Sequence, residues 1–193
     1  MFLLVSCAEV LSQTAIPARS DDFFNQPELL CSALEKNGLH SGPWKAIGLG
    51  FADVRPFSGP SPYLCEAPQW VHPPVPTQLP QLPTGGNLDG RRSSSDISVL
   101  YRVSGDSAGR ADVITIAVTV YQADAMEKGE HELKRNVALL FTAIKLAEPV
   151  GLLASIHQHR YFRTRQPFGF VSFNLVKPDR KPNDQVLWFR IWK

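Results

Sequence analysis

The chain has 193 residues, 44% hydrophobic and 20% charged, with a net charge of +2 at neutral pH. That length buries one good core or two small ones, and the composition is that of an ordinary globular domain. The near-balance of charge disfavours nucleic acid as a partner. No apolar run approaches the ~18 to 20 residues of a spanning helix, which argues against a mature integral membrane protein.

The N-terminus points to export by two routes. Leu4-Val5-Ser6-Cys7 resembles the bacterial lipoprotein cleavage box, in which Cys7 would receive the lipid and supply a membrane anchor. The chain departs from that pattern. No basic residue precedes the apolar stretch, which spans about five residues against the usual 7 to 15. Ser12 to Arg19, with Ala15-Ile16-Pro17-Ala18, reads as the tail of an ordinary signal. The plainer alternative is an apolar terminus packed on the domain. Export to a periplasm or equivalent space is the expectation, with the cytoplasm as the alternative. Residues 1–22 are then a tail or signal remnant, and 23–193 a single domain.

Pro27 suits the entry of a short helix, because its missing N–H would be unpaired there anyway. Leu29, Leu30, Ala33 and Leu34 give that helix an apolar face, and Asn37-Gly38 ends it. Ala46 to Val54 reads as a short strand weakened by Gly48 and Gly50. Nine of the sixteen prolines then fall between Pro56 and Pro83. Proline removes ladder donors, so residues 56–90 read as extended chain without a central strand. Such a segment is either a long loop laid over the sheet or a polyproline ligand. The loop is the better reading, because no basic specificity residue flanks a PxxP core.

Cys31 and Cys65 leave two readings open. A bridge would close a loop of about 35 residues, worth roughly 3 to 4 kcal/mol in the chain-entropy model, and would imply an oxidising compartment. Otherwise they are two thiols, one buried on its helix. No CxxC or Cys/His spacing suggests zinc.

From Asp96 onward the pattern is regular. Asp96 to Val103, Asp112 to Tyr121, Phe170 to Val176 and Val186 to Trp192 alternate apolar and polar residues. Between the pairs, Leu133, Val137, Leu140, Phe141 and Ile144 form a helical stripe within Asp124 to Leu146. Glu148-Pro149 is expected to break that helix. A shorter helix packing through Val150, Leu153, Ala154 and Ile156 ends near His159. The order predicts an α+β fold: a four-stranded antiparallel sheet, β-β-α-α-β-β, with the helices on one face, preceded by a short helix and the Pro-rich segment. No βαβ alternation or glycine fingerprint supports a dinucleotide fold.

Leu30-Cys31-Ser32-Ala33-Leu34, then Gly38, Trp44, Cys65-Glu66, the paired strands and Asn136 resemble a family of small proteins of unknown function from rhizobia and related alphaproteobacteria. The resemblance covers roughly Phe23 to Lys193. It implies an exported α+β protein with a Cys31–Cys65 bridge. It implies no activity, and no catalytic residues are carried over.

Two residue sets could form a site. Trp188, Arg190 and Trp192 share one face of the last strand, with Leu187, Phe189 and Ile191 on the other. One face must meet the helices, so the second displays two indoles around an arginine. That is a surface for a protein partner or small ligand, or a seat for the Pro-rich segment. The alternative is a small enzyme or anion site built from His157, His159, Arg160, Arg163 and Arg165 with Lys145. At a helix end, residues two apart point about 200° from one another, so His157 and His159 are not expected to share a metal. Cations there also offset the helix dipole. His131-Glu132 lacks the second histidine of a zinc-protease helix, since Arg135 stands in its place. No nucleophile elbow or P-loop is present, and Asp53, Glu66, Asp96 and Asp106 are scattered. The sequence therefore predicts a binding protein without cofactor or metal, with an unidentified partner.

Overall fold

The computed structural model describes residues 22–47, 62–71, 96–178 and 184–193. Cys7 and the N-terminal tail, the expected strand beyond Ile47, most of the Pro-rich segment and the tip of the last hairpin lie outside the described residues.

The fold is α+β with one antiparallel sheet, but among the described residues the sheet has seven strands rather than four. In chain order they are β1 (Lys45–Ala46), β2 (Tyr63–Val71), β3 (Ile97–Gly105), β4 (Val113–Val120), β5 (Phe162–Gln166), β6 (Gly169–Val176) and β7 (Gln185–Trp192). Their spatial order is β1-β2-β3-β4-β7-β6-β5. The expected hairpins are present as β3–β4 and β6–β7, joined where β4 pairs with β7. The extra strands have identifiable reasons. β2 begins inside the Pro-rich zone, yet Tyr63 to Ala67 is a proline-free alternation. Pro68 falls past the reach of β1, which pairs only with Tyr63 and Leu64, so the missing N–H disturbs no ladder on that side. β5 is not among the expected strands; it carries two arginines, but Phe162, Thr164 and Gln166 alternate with them on the other face.

Three helices cover one face: α1 (Pro27–Ser32), α2 (Met126–Ala143) and α3 (Leu152–His157). The apolar stripe predicted for α2 is buried in full, against Ile114, Ile116, Val118 and Val120 of β4 and Leu187, Phe189 and Ile191 of β7. Gly129 brings α2 close to the sheet. A Cβ there would lie 2.5 Å from a Val120 methyl, so only glycine fits that approach.

The helix ends were harder to read. α2 stops at Ala143, before Glu148-Pro149. Lys145 takes a left-handed φ of 57°, and Leu146 N–H reaches back to Phe141 O. That is a Schellman cap built without glycine. The same geometry closes α3 at His159 (φ 53°), with Arg160 N–H on Ser155 O, and closes the first helical segment at the expected Gly38. The face predicted for α3 is corrected: Val150 is 99% exposed, and Leu152 with Ile156, one turn apart, is what the core takes. Leu29 is likewise 44% exposed, while Leu30, Cys31 and Leu34 are buried.

The N-terminal helical segment is fastened to the sheet. Cys31 and Cys65 form a disulfide between α1 and β2. The buried Tyr101 hydroxyl donates to Leu30 O at 2.5 Å, and burial pushes its pKa far above the ordinary value, so it stays a neutral donor. Asn37 donates to the buried Asn136, which in turn donates to Glu132 O at 2.9 Å. Removing any of these partners would strand a buried polar group.

Candidate functional site

The face opposite the helices collects the remaining chemistry. On β7 the side chains alternate as expected: Leu187, Phe189 and Ile191 are buried in the core, while Trp188, Arg190 and Trp192 turn to the other side, half-buried. Register sets their neighbours. Arg190 lies between Thr115 of β4 and Ser172 of β6, and Ser172 is paired in turn with Arg163 of β5. Trp192 lies between Val113 and Phe170, and Phe170 is paired with Arg165. Trp188 lies between Ala117 and Asn174.

These pairings build an aromatic platform carrying cations. The Phe170 and Trp192 rings stack with centroids 5.5 Å apart and planes 21° from parallel. The Arg163 guanidinium carbon is 5.1 Å from the Phe170 centroid and 5.4 Å from that of Trp192. Arg165 stands 5.9 Å from Phe170, and Arg190 stands 5.9 Å from Trp192. Each such contact contributes about 0.5 to 1 kcal/mol and restrains a planar guanidinium. None of the three arginines meets a carboxylate among the described residues. Arg190 Nε is buried and without a hydrogen-bond partner among them. Burial holds the Arg190 guanidinium below its ordinary pKa, although an arginine so placed keeps its charge.

The same face is different two strands away from β7. Arg102 of β3 pairs with Glu66 of β2, directly opposite in register, and its Nε donates to Glu66 Oε2 at 2.7 Å. That charge is neutralised within the fold.

The histidine–arginine cluster read from the sequence is divided by the sheet. Arg163 and Arg165 belong to the open face, whereas His157 and His159 lie at the end of α3 on the helix side. There both rings approach Glu130 of α2. His157 Nδ1 lies 2.9 Å from Oε1, and His159 Nε2 lies 3.5 Å from Oε2. The expectation that the two rings diverge is corrected, because the left-handed turn at His159 swings its ring back. Lys134 also donates to Glu130 Oε1, at 2.6 Å. Partial burial alone would raise the Glu130 pKa. The hydrogen bonds and positive charge from Lys134 and His157 outweigh that and hold it below the ordinary value. Arg160 is exposed and Lys145 lies in the turn that closes α2; no contact joins either to the other arginines. The described residues contain no group of three or more His, Cys, Asp or Glu able to hold a metal.

Sequence reasoning found the Trp188–Arg190–Trp192 face but missed that Phe170, Arg163 and Arg165 complete it. The signal was the alternation of β5. It was obscured because two arginines beside a helix end look like dipole compensation.

The chain matches no protein-family model, no curated protein and no solved structure. The functional reading rests on the geometry.

Proposed function

We propose that this is a non-catalytic, exported binding protein. Its open sheet face, centred on Trp188, Arg190 and Trp192 and extended by Phe170, Arg163 and Arg165, takes an anionic ligand or an anionic patch of a partner. One observation carries the reading: the cations stacked on the Phe170–Trp192 pair have no carboxylate among the described residues, while Arg102 on the same face is matched by Glu66. A guanidinium already stacked on aromatic rings has little freedom left to lose, and its N–H fork suits carboxylate or phosphate in bidentate geometry. Arg190 Nε offers a further buried donor, and a buried donor without a partner is costly until something accepts from it.

The export part of the reading is supported by the Cys31–Cys65 bridge, since disulfides persist in oxidising compartments. A periplasm is the compartment we favour. The alternative built on His157 and His159 is set aside because Glu130 already supplies their negative partner.

Calorimetric titration with tripolyphosphate tests the proposal. Wild type should bind with an affinity that falls as salt rises. Arg190→Ala should weaken it about tenfold, one lost charge-assisted contact of about 1.4 kcal/mol. An Arg190→Ala isotherm matching wild type would refute the assignment.

A further inference from the structure

The cations of this site stand partly on a sheet edge. Among the described residues β5 is the last strand of the sheet and pairs only with β6. Its two-residue loop, Pro167-Phe168, closes on Gln166 opposite Gly169. A loop that short closes on a hydrogen-bonded pair, and the pairs alternate from there. Phe162, Thr164 and Gln166 therefore direct their main-chain groups at β6, while Arg163 and Arg165 direct theirs outward. The outward N–H groups of Arg163 and Arg165 meet no other described residue. The same two residues place their guanidiniums over Phe170 and Trp192. Among the described residues one edge thus presents two unpaired ladder N–H donors, with Arg165 O accepting only from Thr164 Oγ1 at 3.5 Å, together with two cations spaced two residues apart.

An edge of this kind invites another strand, and its charge decides which. A second copy added antiparallel and centred on Thr164 would oppose arginine to arginine, which is unfavourable across a ladder. An acidic strand does the reverse. Resting on the anion reading above, we infer that the partner is an extended polypeptide segment with carboxylates at alternate positions, added to β5 as an eighth strand. Carboxylates two residues apart fall on one face of the added strand, the face carrying Arg163 and Arg165. Main-chain pairing supplies affinity, and the arginines select acidic over basic sequence.

The test uses the full chain and three capped heptapeptides: one with glutamate at three alternate positions, the same peptide N-methylated at alternate residues, and a lysine version. The glutamate peptide should bind, and N-methylation should weaken it at least tenfold, because it removes strand donors and leaves the charge. The lysine peptide should not bind. Arg163→Glu/Arg165→Glu, with its fold checked by circular dichroism, should reverse the preference toward lysine. Equal binding of the methylated and unmethylated peptides would overturn strand addition and leave the anion face intact. Binding of tripolyphosphate with no peptide binding would overturn the polypeptide partner alone. Tripolyphosphate failing to bind wild type would refute the underlying reading. A single-stranded oligonucleotide binding more tightly than the glutamate peptide would replace the inferred partner with nucleic acid.

Discussion

The two halves of the sheet face opposite the helices solve the same problem differently. Near β2 and β3, the side chain of Arg102 is only 10% exposed, and Glu66 stands across the ladder from it. Near β5, β6 and β7, three arginines are held by aromatic rings instead of carboxylates. A buried charge with its partner in place contributes to a particular fold, and removing the partner is costly. A cation stacked on a ring keeps its hydrogen-bonding edge unspent. The first half should matter for stability and the second for recognition.

That contrast can be broken by substitution. Glu66→Ala should cost about 3 kcal/mol in a denaturant melt, by removing the carboxylate that faces the buried Arg102, without changing tripolyphosphate affinity. Arg190→Met should do the opposite. It should lower affinity about tenfold while holding or raising stability by about 0.5 kcal/mol, since a buried unsatisfied donor is replaced by an apolar chain of similar length. A large stability loss in Arg190→Met would show that both halves are structural.

Smaller effects sharpen the picture on the helix side. Glu130→Gln should cost about 0.5 to 1 kcal/mol at neutral pH, a modest figure because His157 is largely exposed and screened. The Glu130 pKa is depressed in the folded state. Its contribution is therefore complete above the ordinary carboxyl pKa of about 4.3, and is lost as the pH falls through the lower folded value. Melts of both proteins should converge once the pH has fallen below that depressed folded value. Lys145→Gly should stabilise by about 0.5 kcal/mol, since the left-handed turn after α2 strains any residue with a Cβ.

The alternation of β3, β4, β6 and β7 and the stripe of α2 were legible because one face of each must enter the core. Periodicity reports burial directly. What escaped was decided by pairing rather than pattern. β1 is two residues long and exists only because β2 lies beside it. β2 survives its proline because no described strand pairs on that side of Pro68. Lys145 and His159 adopt glycine-like geometry under tertiary constraint, which no propensity signals. For the site, Trp188, Arg190 and Trp192 were visible as every second residue of one strand. Arg163, Arg165 and Phe170 joined them only through register across three strands.

Indole N–H resonances offer the most direct measurement of the central claim. Trp192 belongs to the stacked pair, whereas Trp44 donates its indole N–H to Ala108 O at 2.8 Å, off the proposed site. On adding tripolyphosphate, the Trp192 signal should shift and saturate while that of Trp44 stays in place, and the shift should vanish in Arg190→Ala. A Trp192 signal that does not move at saturating anion, or that moves equally in Arg190→Ala, would contradict the account.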